Sequence, residues 1–142
     1  MPPFQYGYRK YHNTTQAIAD YTDYITKEIA NKQVTIAVFM DLSKAFDTVD
    51  KIILKHKLHE LGLTDLSTSL IDSYMSDRRF AMMDEKEYYK LKYGVPQGSI
   101  LGPLLFIMYT YDLTKITEHN KVIVYADDTT VLVSGRNLTE TK

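Results

Sequence analysis

The chain of 142 residues contains no cysteine. Disulfides and thiolate zinc sites are thereby excluded, and a reducing intracellular compartment, cytoplasm or nucleus, is the expectation. A basic excess is also missing: 17 Lys and Arg stand against 18 Asp and Glu, for a net charge of −1. A stand-alone nucleic-acid-binding module usually carries such an excess. The balance counts mildly against one, but not against a site that collects carboxylates around cations. No apolar run approaches the length of a membrane span, so no membrane partner is expected. Met1-Pro2-Pro3-Phe4 lacks the basic-then-apolar pattern of a secretory signal. The acceptor patterns Asn13-Thr14-Thr15 and Asn137-Leu138-Thr139 therefore carry no expectation of glycosylation. Internal repeats and low-complexity linkers are absent. What is present, 44% hydrophobic residues in a chain of this length, suits one domain with a real core.

Periodicity divides the chain. Residues 14–31 read as a helix with Ile18, Tyr21, Ile25 and Ile29 at helical spacing, widened by Ala17 and Tyr24 and capped by Thr14 or Thr15. Thr35 to Asp41 reads as a buried strand, because residues 36–40 form a short apolar run between polar ones. A helix follows over about 50–61, carrying Ile53, Leu54, Leu58 and Leu61 and stopped by Gly62. Asp65 or Ser67 opens another, with Leu66, Leu70, Ile71 and Tyr74 inward. Residues 78–83 and 87–93 predict a hairpin around Asp84-Glu85-Lys86. A loop, Gly94 to Gly98, leads into an apolar helix from Ser99 to about Asp112, with Pro103 tolerated in its first turn. Strands at 121–126 and 129–134 flank Asp127-Asp128. The expected class is α+β: helices on one face of a small, mainly antiparallel sheet.

Three acids carry the candidate chemistry. Asp41 ends one strand, and Asp127 and Asp128 lie at a tight turn between two others. Acids at strand ends are costly unless paired, solvated or bound to a cation. If the strands are neighbours, the acids converge, and such a cluster suits Mg²⁺. Taken alone, an Asp-Asp pair is an ordinary hairpin turn. His56 and His59, three apart, can chelate zinc in principle, but with no further ligand nearby they read as surface residues. Arg78-Arg79 reads as a solvated basic pair.

The flanking segments change the odds. "VFMDLSKAFDTVD", "YGVPQGSILGPLLFIMYTYDL" and "YADDTTVLVSG" resemble, in order, the first, second and third palm motifs of the reverse transcriptases of non-LTR retrotransposons, the jockey-like and LINE-like elements. "FQYGYRKYHNTTQAI" resembles the end of the fingers that precedes that palm.

The resemblance implies a polymerase palm over 35–142 and a fingers remnant over 1–34, with most of the fingers and the thumb absent. It implies RNA-directed DNA synthesis from dNTPs on an RNA template and DNA primer, with two Mg²⁺ ions or Mn²⁺ in their place. Asp41 and Asp127 would be the main metal ligands, Asp128 the third acid, and the Leu42 backbone carbonyl a further ligand. Phe46 would be the steric gate, whose ring leaves no room for a 2′-hydroxyl. Gln97 and Gly98 would line the nucleotide pocket, Tyr125 would lie beside the primer terminus, and Arg9 would grip the triphosphate. Tyr11 and Asn13 stand where the family more often has Gly and Ser. An inactive palm serving as an interaction module is the competing expectation. An RNA-templated RNA polymerase is disfavoured by Phe46, and by Ala126 where those enzymes usually carry Gly.

Overall fold

The computed structural model describes residues 4–81, 88–113 and 120–137. The element order is α1 (Thr14–Ala30), β1 (Val34–Met40), α2 (Lys51–Glu60), α3 (Asp65–Met75), β2 (Arg79–Phe80), β3 (Tyr89–Lys90), α4 (Leu101–Tyr109), β4 (Lys121–Tyr125) and β5 (Asp128–Gly135). Mixed helix and small antiparallel sheet make the fold α+β. The chain forms two compact units: Met1–Ser43 with Tyr111–Lys142, and Lys44–Thr110.

In the first unit, β1, β5 and β4 form an antiparallel sheet in that order. Helix α1 packs against β1 and β4. Its inward face is Ala17, Tyr21 and Tyr24, which meet Tyr6, Ala37, Ile123 and Leu132 in a small core. Ile18 and Ile29 instead point to solvent. The cap is Asn13 rather than Thr14 or Thr15. Its side-chain oxygen accepts from the Gln16 N–H at 2.9 Å while the Gln16 carboxamide accepts from the Asn13 N–H at 3.2 Å. That reciprocal box needs an acceptor side chain three residues on, which Gln16 supplies for Asn13, whereas Thr14 or Thr15 would have Ala17 or Ile18 there. Strand β1 is not buried as its apolar run predicts. Its place at the sheet edge leaves Val38, Phe39 and Met40 exposed. Among the described helices of this unit, α1 is the one that packs on the sheet.

In the second unit, α2 packs against α3 and α4 around Val49, Leu54, Leu58, Met75, Leu105 and Phe106. Asp50 caps α2 by accepting from the Ile52 and Ile53 N–H groups, and Gly62 follows with φ +84°. The cap of α3 is Thr64, one residue ahead of the expected start. Its buried positions are Thr68 and Met75, and Leu66 and Leu70 face water. A helix of eleven residues exposes much of its surface, and the two leucines fall on its exposed part. Strands β2 and β3 pair antiparallel as expected, but the Asp84-Glu85-Lys86 turn lies outside the described residues. Helix α4 begins at Leu101, two residues later than predicted. The Ser99 hydroxyl accepts from the Gly102 N–H at 2.9 Å and donates to the Pro96 carbonyl at 2.7 Å, capping the helix from outside. No helix among the described residues is long and apolar enough to cross a membrane.

Candidate functional site

The three acids belong to the first unit. β4 and β5 are joined by a two-residue turn, Ala126-Asp127, and Tyr125 pairs with Asp128 as the closing rung. Asp128 is thus the first residue of β5, one place inside the expected turn. The β1–β5 ladder ends at Met40 opposite Thr129. Continued by one step, that register sets Asp41 across from Asp128. All three acids therefore reach the same end of one sheet. Asp41 and Asp128 are exposed and Asp127 is half-buried, so water rather than a buried partner solvates them. Leu42, next to Asp41, is exposed as well. Hard carboxylate oxygens are the donors Mg²⁺ takes, so the donor set fits by chemistry. Among the described residues, however, no three His, Cys, Asp or Glu side chains are gathered closely enough to hold a metal ion. A cleft of about 500 Å³ adjoins this sheet end, walled by Ile18, Tyr21, Phe39, Ile123 and Tyr125 with Asp128 as its charged member.

The acid-bearing turn has an unusual support. Ala126 has φ +60°, the left-handed region that costs an L-residue roughly 1–2 kcal/mol. Beside it, residues 4–6 run parallel to β4: the Val124 N–H donates to the Phe4 carbonyl and the Tyr6 N–H to the Val124 carbonyl, both at 2.8 Å. The Gln5 side chain, 1% exposed, extends this pairing onto the turn. Its Nε2 donates to the Ala126 carbonyl at 3.1 Å. Its Oε1 accepts from the Ala126 N–H at 3.0 Å and from the Gly7 N–H at 2.8 Å. Gly7 is held close: a Cβ there would lie 2.3 Å from the Ala126 nitrogen. Neither Gln5 nor Gly7 stood out as functional in the sequence. The only signal was their presence in the fingers-like segment.

Arg9 is half-buried, and its guanidinium donates to the Gln5 carbonyl at 3.1 Å. Tyr6 donates its hydroxyl to the Asp20 carboxylate, which also takes the Lys121 ammonium at 3.1 Å. Burial, then the Asp20 hydrogen bond and charge, push the Tyr6 hydroxyl up to about 12. The same bond from Tyr6, and then that from Lys121, hold the Asp20 carboxyl below its ordinary range.

Phe46, Gln97 and Gly98 belong to the second unit. The Gly94–Gly98 loop is stitched to the 46–49 segment: the Gly94 N–H donates to the Val49 carbonyl and the Val95 N–H to the Phe46 carbonyl, both at 2.8 Å. Gly94 has φ +91°, and a Cβ there would come within 3.0 Å of the Asp47 backbone. Gln97 donates from Nε2 to the Asp47 carboxylate at 2.7 Å. Gly98, at φ +75°, has open space where a Cβ would stand. The Phe46 ring is half-buried against Phe106, with centroids 4.7 Å apart. A cleft of about 570 Å³ opens beside the loop, bounded by Asp47, Arg78, Tyr93 and Gln97. His56 faces Glu60 at 3.8 Å and His59 faces Asp65 at 3.6 Å, so the two histidines meet different carboxylates.

The profile of the reverse transcriptase (RNA-dependent DNA polymerase) family matches residues 1–141, and the chain belongs to that family. It is similar to a probable RNA-directed DNA polymerase from transposon BS of Drosophila melanogaster, 33% identical over 95% of this chain and 16% of that protein. It is also 30% identical, over 97% of this chain and 16% of that protein, to the RNA-directed DNA polymerase from mobile element jockey of the same fly. The probable polymerase of its X-element transposon is 31% identical over 95% of this chain. The resemblance to jockey-like elements is thus borne out. The chain spans about a sixth of the length of these curated relatives, which each match over 16% of their residues.

Proposed function

We propose that this chain is the catalytic palm of an RNA-directed DNA polymerase, with residues 1–34 closing the fingers and 35–142 forming the palm. The observation that carries the reading is the strand register, which brings Asp41, Asp127 and Asp128 to one end of one sheet in a member of the reverse transcriptase family. Asp41 and Asp127 would hold divalent cations, with Asp128 and the Leu42 carbonyl completing the oxygen set. Held there, Mg²⁺ or Mn²⁺ would supply the positive charge that favours ionisation of a primer 3′-hydroxyl and departure of pyrophosphate. Phe46 excludes a 2′-hydroxyl by bulk, which selects dNTPs. Gln97 and Gly98 line the nucleotide pocket, where glycine lets the backbone approach closely. Tyr125 supports the primer terminus and Arg9 contacts the triphosphate. The partners are an RNA template and a DNA primer, and the site of action is intracellular.

Primer extension on an RNA template with Mg²⁺ and dNTPs tests this, using this chain, a version extended at both ends to restore fingers and thumb, and Asp127→Asn in each. Extension by the longer protein should fall by a factor on the order of 10³ or more in Asp127→Asn, as when a charge-stabilising catalytic group is removed. A second reading, a palm kept as an inactive interaction module, is favoured by the ungathered acids. It takes over if the extended protein folds and binds primer–template yet adds no nucleotide.

A further inference from the structure

We infer that Gln5 is a positioning residue for the Asp127-Asp128 turn: its buried carboxamide grips the left-handed Ala126 by both backbone groups and so fixes where the two carboxylates stand. The catalytic half of this inference rests on the polymerase reading above, and the structural half does not.

A carboxamide offers two N–H donors and one acceptor oxygen. Here the oxygen takes two N–H groups, from Gly7 and Ala126, and the nitrogen gives one to the Ala126 carbonyl. The pattern reproduces what a neighbouring strand would supply. Backbone pairing with β4 ends at Tyr6 and Val124, and two positions further along the hairpin the side chain takes over.

The turn needs this. A two-residue hairpin turn with positive φ at its first central position ordinarily uses glycine there. Ala126 occupies that position at φ +60°, and Asp127 is not among the positive-φ residues. A strained residue persists only where its surroundings over-determine it, and the Gln5 grip supplies that determination. The displacement of Ala126 that loss of the grip allows is passed on directly to Asp127 and Asp128, its immediate successors. The grip also accounts for Gly7: a side chain there would occupy the place of the Ala126 amide.

The test measures two things in wild type, Gln5→Met and Gln5→Met/Ala126→Gly. One is hydrogen exchange of the Ala126 amide in this chain. The other is kcat and KM for dNTP in the extended version. Gln5→Met should speed exchange and lower kcat by about tenfold each, with KM kept within about twofold, because only the placement of the acids is lost. Ala126→Gly added to it should recover kcat to within about threefold of wild type, because glycine holds the left-handed turn unaided. A merely structural glutamine would show no such rescue. Exchange and kcat within twofold of wild type in Gln5→Met, a loss confined to KM, or no recovery in the double variant overturns the proposal. If Gln5→Met does not fold, Gln5→Glu carries the test: it keeps the acceptor for both N–H groups, loses the donor, and should lower kcat with the same rescue. If the wild-type extended protein adds no nucleotide, the polymerase reading fails while the exchange experiment still decides the grip.

Discussion

In the first unit the acid-bearing turn hangs on a few directed bonds: one buried carboxamide, a parallel backbone pairing and a tyrosine–aspartate–lysine link. In the second, the Gly94–Gly98 loop rests on a hydrophobic core whose central members, Leu54, Leu58, Leu105 and Phe106, are almost wholly buried. The first arrangement fixes direction well and contributes little transfer free energy. The second contributes bulk stability and tolerates polar change at its rim. A site that must hold charges in register is built the first way, and a loop that must only keep its shape is built the second.

The largest test of this contrast is Leu58→Ala. Removing a side chain 1% exposed from the second core should cost about 3 kcal/mol, the usual range for a leucine that leaves a cavity, and urea denaturation reads it directly. A loss below about 1 kcal/mol would mean that the second unit is not core-held.

Next comes pH. The Asp20 carboxyl sits below its ordinary value, so its contribution is present above roughly pH 4, the unfolded value, and is lost as pH falls through the lower folded one. Tyr6 is raised to about 12, so its contribution is complete below roughly pH 10 and is lost as pH rises toward 12. Asp20 is half exposed, with 42% of its side chain open to water, which keeps the acid limb under about 1 kcal/mol. In urea titrations across pH, Asp20→Asn should remove the acid limb and shrink, without abolishing, the alkaline one, whose largest cause is the burial of Tyr6. If the limbs persist unchanged, the link is not what ties α1 to β4.

The smallest expected effect belongs to Leu70→Ser on α3. With Leu70 72% exposed, the change in urea midpoint should correspond to less than about 0.5 kcal/mol. A larger cost would place Leu70 in a core and restore the inward face its spacing predicts.

Element positions and the family were legible because apolar spacing and short sequence motifs are local signals. Which face of an element is covered was not. Ile18, Leu66 and Leu70 follow helical spacing as well as Ala17 and Met75 do, and only the neighbouring elements decide among them. The run Ile36 to Met40 reads the same for a central strand as for an edge one, and the edge position follows from β5 taking the middle of the sheet. Gln5 was illegible for a different reason. A lone glutamine has no period, and its partner lies 121 residues away.

That separation orders events in time. The second unit is one continuous stretch, Lys44–Thr110, while the first is assembled from segments on both sides of it. On a ribosome the chain emerges in sequence order and compact units form as their residues become available. The second unit can close while Gln5 and Asp41, already made, still wait for β4 and β5. The sheet end with its acids is therefore completed after the second unit, across the 121 positions that separate Gln5 from Ala126. An interruption of synthesis between Thr110 and Tyr125 leaves the second unit complete and the turn that carries Asp127 and Asp128 unmade.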